Sequence, residues 1–265
     1  ILLNDAETPW KFKVGAGYEL VEQHFNSIER FRTTEFERDW NINNVILNSD
    51  QHIASGFVGF EKDKKANIQY DVDILQNVGE FDGIKNSALA FYKWKGFTIE
   101  GDGSFLTTEG INNTEFLRHK ATLSKNIKWL VVGVSEETEQ NKFFVNEQTD
   151  SLQAASFEFK IYEAFIRSAD STVNNFMISY KQREDNAPFV NQFNGATKAE
   201  DISFAMGLLK NRNHKFRSKV TYRKLEILSN TLSNLQPEEN VLARVEYVAK
   251  FFKSAITSNT YYEIG

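Results

Sequence analysis

The stretch Ala66-Asn67-Ile68-Gln69-Tyr70-Asp71-Val72-Asp73-Ile74 alternates apolar and polar residues without a break. Successive side chains of a strand point to opposite sides. This spacing therefore puts Ala66, Ile68, Tyr70, Val72 and Ile74 on one face and Asn67, Gln69, Asp71 and Asp73 on the other. One face then meets an apolar medium and the other meets water. A parallel α/β sheet would give solid apolar strands separated by helical patterns, and no such helices are visible. The sheet is expected to be antiparallel.

The same period of two extends outward in both directions. Trp10, Phe12, Val14, Ala16, Tyr18 and Leu20 alternate with Lys11, Lys13, Gly15, Gly17 and Glu19. Phe216, Ser218, Val220 and Tyr222 form another row. Val241, Ala243, Val245, Tyr247, Ala249 and Phe251 form a third, blurred by Leu242 and Val248. Between the rows lie Gly-, Asn-, Asp-, Ser- and Pro-bearing stretches that reverse a chain, among them Asp82-Gly83, Glu109 to Asn113, Asn186 to Gly195 and Asn230 to Glu239. The pattern predicts an all-β antiparallel meander of roughly a dozen strands. These fall near 10–21, 52–61, 66–76, 87–95, 96–107, 116–124, 127–138, 155–166, 174–184, 200–210, 214–228 and 240–254. Gly15 and Gly17, inside a strand, read as places where a large side chain or another backbone packs close, and Gly56 and Gly59 are expected to serve the same purpose.

No linker divides the chain, so residues 1–265 are expected to form a single domain, read as an internal fragment of a longer polypeptide. No run approaches the ~20 apolar residues of a membrane-spanning helix. A β-barrel span is not excluded, because its alternating signal averages away in the mean hydropathy of -0.46. The chain has 31 Lys and Arg against 36 Asp and Glu, a net charge of -5. Without a basic excess, nucleic acid is not expected as a partner. The absence of cysteine removes disulfide scaffolds, Cys-ligated zinc, iron–sulfur clusters and thiol nucleophiles together.

Residues for chemistry are sparse. His24, His52, His119 and His214 share no metal-ligand spacing, and surface or strand-end positions account for them. Asp71/Asp73, Glu35/Glu37/Asp39 and Glu136/Glu137/Glu139 are carboxylate groups of the kind every polar strand face carries. A glycosidase would need one such pair in a cleft. No nucleophile elbow, phosphate loop or zinc-protease motif occurs. No enzyme activity is expected, and no catalytic residue, cofactor or metal is assigned. Tyr18, Tyr70, Phe91, Tyr92, Trp94, Trp129, Phe157, Phe159, Tyr180, Tyr222 and Tyr247 would serve as core, as an interfacial girdle or as a sugar platform.

One segment breaks the period. In residues 25–40, Phe25, Ile28, Phe31, Phe36 and Trp40 are spaced nearer three and four, and Thr33 or Thr34 would cap a short helix starting at Glu35. Charges crowd here: Arg30, Arg32, Glu35, Glu37, Arg38 and Asp39, closed by Trp40. Either they neutralise one another in a solvated loop, or the segment docks as a tethered plug on the polar face of the sheet, where its charges must be paired.

Glu35-Phe36-Glu37-Arg38-Asp39-Trp40-Asn41, Glu139-Gln140-Asn141-Lys142, Thr221-Tyr222-Arg223 and Thr260-Tyr261-Tyr262-Glu263-Ile264-Gly265 resemble pieces of very large cell-envelope proteins of Bacteroidota. Those proteins are long β-rich chains that include an outer-membrane barrel, and the resemblance covers most of this chain. It implies a place in the cell envelope, in the outer membrane or beside it in the periplasm or at the cell surface, with outer-membrane lipid and other envelope proteins as expected partners. The role implied is transport, assembly or scaffolding; no small-molecule ligand follows from it.

Period two suits more than one arrangement. The sheet would be a β-barrel or part of a large one, with apolar residues facing lipid and charges facing a lumen. Alternatively it would be a soluble sandwich or half-pipe in the periplasm or at the cell surface, binding lipid or a protein client. A carbohydrate-binding module is the third arrangement.

Overall fold

A computed structural model describes residues 2–3, 10–22, 36, 39–42, 49–63, 65–110, 113–145, 148–152, 156–170, 174–186, 196–211, 214–228, 236–251 and 256–264. The strands are β1 (Leu2–Leu3), β2 (Lys11–Val21), β3 (Gln51–Lys62), β4 (Ala66–Asn77), β5 (Phe81–Trp94) and β6 (Phe97–Gly110). They continue with β7 (Thr114–Ile127), β8 (Leu130–Val145), β9 (Gln148–Leu152), β10 (Phe157–Ser168) and β11 (Asn175–Asn186). The last are β12 (Ala196–Asn211), β13 (His214–Leu228), β14 (Glu238–Phe251) and β15 (Ile256–Ile264). β1 and β9 are short; the other thirteen form one antiparallel meander in which each strand pairs with its chain neighbours, and β9 pairs with β8 off that path. Among the described residues no pairing joins β15 to β1 or β2, so the sheet is not closed into a barrel.

All twelve expected strands are present. β1, β9 and β15 are additions, and β5 begins at Phe81 rather than 87, so Asp82-Gly83 lies inside a strand and not at a turn. The physical reason is packing: a Cβ on Gly83 would meet the Trp40 ring at 3.1 Å and Phe81 at 3.0 Å. Gly15 has the role its position suggests, since a Cβ there would overlap the ring of its register partner Phe57. Gly133 stands in the same relation to Phe165. At Gly59 and Gly56 a Cβ would meet backbone instead, the Ile68 carbonyl oxygen at 3.5 Å and the Gly15 carbonyl oxygen at 3.9 Å, both ordinary contact distances.

The connections differ at the two ends of the sheet. At one end they are 63–65, 95–96, 128–129, 169–174, 212–213 and 252–255. Lys95 and Gly96 both have positive φ, 46° and 82°, which a two-residue hairpin of the favoured twist requires. At the opposite end, 78–80 and 111–113 are short, but 22–50, 146–156, 187–195 and 229–237 are long.

Register assigns every side chain to a face, because directly opposite residues share one. Ile68, Tyr70, Val72 and Ile74 lie level with Ala90, Ala88, Asn86 and Ile84 of β5. Asp71, Asp73 and Leu75 lie level with Ser87, Lys85 and Gly83 on the other side. One face is therefore apolar and the other charged along the sheet. The buried core sits on the charged face, where Leu75, Phe81, Leu106 and Phe116 cluster with Trp40 and Ile42.

Candidate functional site

Phe36 and Asp39 have helical conformation, and the Trp40 amide donates to the Phe36 carbonyl at 3.0 Å. This turn delivers Trp40 onto the charged face. Trp40 and Ile42 are 4% and 5% exposed. They rest on out-of-phase apolar residues of four consecutive strands: Leu75 of β4, Phe81 of β5, Leu106 of β6 and Phe116 of β7. Between them Asn41 takes the left-handed conformation, φ 57°, which asparagine tolerates better than most residues. Its buried side chain reaches Asn141 of β8. Asn41 Nδ2 donates to Asn141 Oδ1 at 3.1 Å, and Asn141 Nδ2 donates back at 3.4 Å. Further along the same connection, Ser49 hydrogen-bonds Asn77, whose Nδ2 donates to the Ser49 carbonyl at 3.1 Å.

Of the expected cluster, Asp39 and Trp40 are described. Lys85 stands between Asp39 at 4.0 Å and Asp73 at 3.9 Å, with its ammonium 5.6 Å from the Trp40 ring centre. Arg30, Arg32, Glu35, Glu37 and Arg38 lie outside the described residues. The Asn41–Asn141 pair was not among the candidates. The available signal was the set of apolar residues at polar-face positions, Leu75, Phe81, Leu106 and Phe116, which mark where something covers the sheet.

Elsewhere the charged face is laced by cross-strand ion pairs. Lys13 meets Glu61 at 2.5 Å, Arg118 meets Glu139 at 3.3 Å and Lys120 meets Glu137 at 3.0 Å. Arg223 grips Asp201 through Nε and Nη2 at 2.7 and 2.8 Å. The carboxylate groups are thus engaged or split: Glu137 and Glu139 face these cations, whereas Glu136 points to the apolar face beside His119 at 3.6 Å. Asp71 accepts from Gln69 Nε2 at 2.9 Å. Among the described residues no group of three His, Asp or Glu side chains is arranged to hold a metal ion.

The apolar face has no cover among the described residues. Ile68, Tyr70, Ile74, Ile84, Ile99, Ile178, Phe204 and Tyr247 are all exposed on it, and Ile202 and Val241 are 53% and 55% exposed. On β2 the apolar row runs from Phe12 to Leu20, about 26 Å of strand at roughly 3.3 Å per residue. Both borders are marked. Toward the short connections stand Trp10, Trp94 and Trp129, with Lys62 over Trp10 and Lys95 over Trp94. There too Tyr247 and His214 share a hydrogen bond of 2.6 Å. Toward the long connections Tyr18 and His52 make the same contact at 2.6 Å. Beyond Tyr180 and Tyr222 the apolar face turns to charge: Lys160 pairs with Glu158 at 3.2 Å and Lys198 with Glu200 at 2.9 Å.

The band also descends across the register. Ile84 is level with Thr107, Thr107 with Glu115, and Glu115 with Lys142. An apolar band oblique to the hydrogen-bond rows is the pattern of strands tilted against a flat boundary.

No protein-family model, no curated protein and no solved structure matches the chain.

Proposed function

We propose that this chain is a wall segment of an outer-membrane β-structure of a Gram-negative envelope, with its apolar face toward lipid and its charged face toward water. One observation carries the reading: a band of exposed Ile, Val, Leu, Phe and Tyr covers one face, bordered by Trp toward the short connections and by Tyr toward the long ones, while the opposite face carries the Arg118–Glu139 and Lys120–Glu137 pairs. A soluble sheet hides such a band against a second layer, and exposed apolar patches beyond a few hundred Å² mark interaction surfaces. Short connections at one end and longer ones at the other also agree with bacterial barrels. The segment carrying Trp40 is then a fixture on the water-facing side of the wall. The role is non-enzymatic: passage, assembly or scaffolding at the membrane.

The unjoined edges favour a second reading, a soluble half-pipe in the periplasm or at the cell surface whose apolar face takes a lipid or a protein client. Paired substitutions separate the two. Tyr70 is on the apolar face and Asp71 on the charged face. A lipid-facing charge costs ~2–4 kcal/mol near the membrane midplane. Tyr70→Arg is expected to abolish assembly into detergent or vesicles, and Asp71→Arg to preserve it. A detergent-free monomeric chain with both variants equally tolerated would replace the wall by the half-pipe.

A further inference from the structure

A groove of about 510 Å³ opens on the apolar face over β6 to β11. Ala121 and Ala164 are the small residues in its lining, and Ile99, Leu123, Val134 and Tyr180 stand around them. Two neighbouring cross-strand rows build it. Leu123, Val134, Ala164 and Tyr180 lie level with one another, and Ala121, Glu136, Tyr162 and Gln182 form the next row toward the long connections. The polar groups of the apolar face are thus gathered on one side of the groove. Among them Glu136 is a carboxylate with the His119 ring, charged only when protonated, 3.6 Å away. Among the described residues no Lys or Arg forms an ion pair with it.

We propose that this groove holds one acyl chain of a membrane phospholipid with a primary-amine headgroup, the ammonium hydrogen-bonding the Glu136 carboxylate. The proposal rests on the lipid-facing reading above. The apolar lining suits a hydrocarbon chain. The carboxylate at its border excludes an anionic headgroup by repulsion, and a purely apolar ligand would leave it with His119 as its one side-chain partner among the described residues. An ammonium supplies a charge-assisted hydrogen bond, stronger than a neutral one. The site also sits where the apolar band gives way to charge, the level at which a phospholipid changes from chain to headgroup.

The test is native mass spectrometry of the full chain, purified in detergent and equilibrated with equal phosphatidylethanolamine and phosphatidylglycerol. One phosphatidylethanolamine should be retained per chain, with a preference of about tenfold over phosphatidylglycerol. Glu136→Gln should remove the preference while leaving the β circular-dichroism spectrum unchanged, and Ala164→Phe, which fills the groove, should remove the bound lipid. Equal retention of both lipids, or a preference unchanged in both variants, overturns the site while the wall reading stands. A chain that is monodisperse without detergent and retains no lipid overturns both.

Discussion

Asn41 and Asn141, 100 residues apart in the chain, exchange side-chain hydrogen bonds in a buried contact. Asn41 belongs to the connection between β2 and β3, yet its partner is on β8, beyond the four strands that seat Trp40 and Ile42. This contact crosses the sheet farther than any strand pairing does.

Removing one amide strands the other. A buried polar group left unsatisfied costs about 1–3 kcal/mol, so Asn141→Ala should lower unfolding stability by that amount in a urea titration. Asn41→Ala should cost more, because alanine must also take the left-handed conformation. Asn41→Gly keeps that conformation accessible and should recover the difference. A double-mutant cycle showing no coupling would dismiss the pair as a structural contact.

The four tryptophans divide by environment. Trp40 is buried on the charged face, whereas Trp10, Trp94 and Trp129 are 41%, 54% and 64% exposed near the short connections. In single-tryptophan variants reconstituted into brominated lipid, quenching should reach Trp94 and Trp129, strongest with bromine near the headgroup, and should spare Trp40. Quenching of Trp40 by lipid would reverse the assignment of the faces.

Gly83 should resist enlargement. A Cβ there presses on the Trp40 ring at 3.1 Å, and the backbone of a central strand cannot easily retreat. Overpacking of this kind costs about 1–3 kcal/mol. Gly83→Val should therefore destabilise the chain and shift Trp40 emission to longer wavelength as the ring loses its seat. Gly56→Ala, where a Cβ would meet nothing closer than 3.9 Å, is the control and should leave emission unchanged.

The Arg223–Asp201 pair has better hydrogen-bond geometry than the amide pair, yet it should matter less to stability. The arginine side chain is 57% exposed, and exposed ion pairs contribute about 0.2–1 kcal/mol. Asp201→Asn should cost less than Asn141→Ala under the same conditions. The reverse order in chemical denaturation would mean that the charged face is far drier than its exposure indicates.

Fold class was legible because period two is a local property: each of β2 to β14, apart from the five-residue β9, carries its own alternation. β15 escaped detection because Ser258 and Thr260 interrupt its apolar row before Tyr262 and Ile264. The start of β5 was misplaced because Asp82-Gly83 has turn chemistry, and the need for glycine arises from Trp40, 43 positions earlier in the chain. The unusual character of the segment around Trp40 was visible in its broken period and crowded charge. Its seat was not, since that depends on which strands lie side by side and at what height. Composition and pattern also carry no mark that separates a lipid-facing apolar row from one facing a second protein layer.

Because each strand pairs with its chain neighbours, the meander can grow one hairpin at a time, and nothing in such growth checks that each hairpin has closed in the right phase. A slip of one residue would turn every side chain of the late strand to the other face. The Asn41–Asn141 contact supplies that check. Asn41 precedes β4 in the chain and its partner lies on β8, so the two meet only if every register between them is correct. A chain that has slipped would present the longer side chain of Gln140 or Lys142 to the seated segment in place of Asn141, and the close reciprocal amide pair would be lost. The segment is therefore a gauge of phase, satisfied by the correctly paired sheet and not by near copies of it.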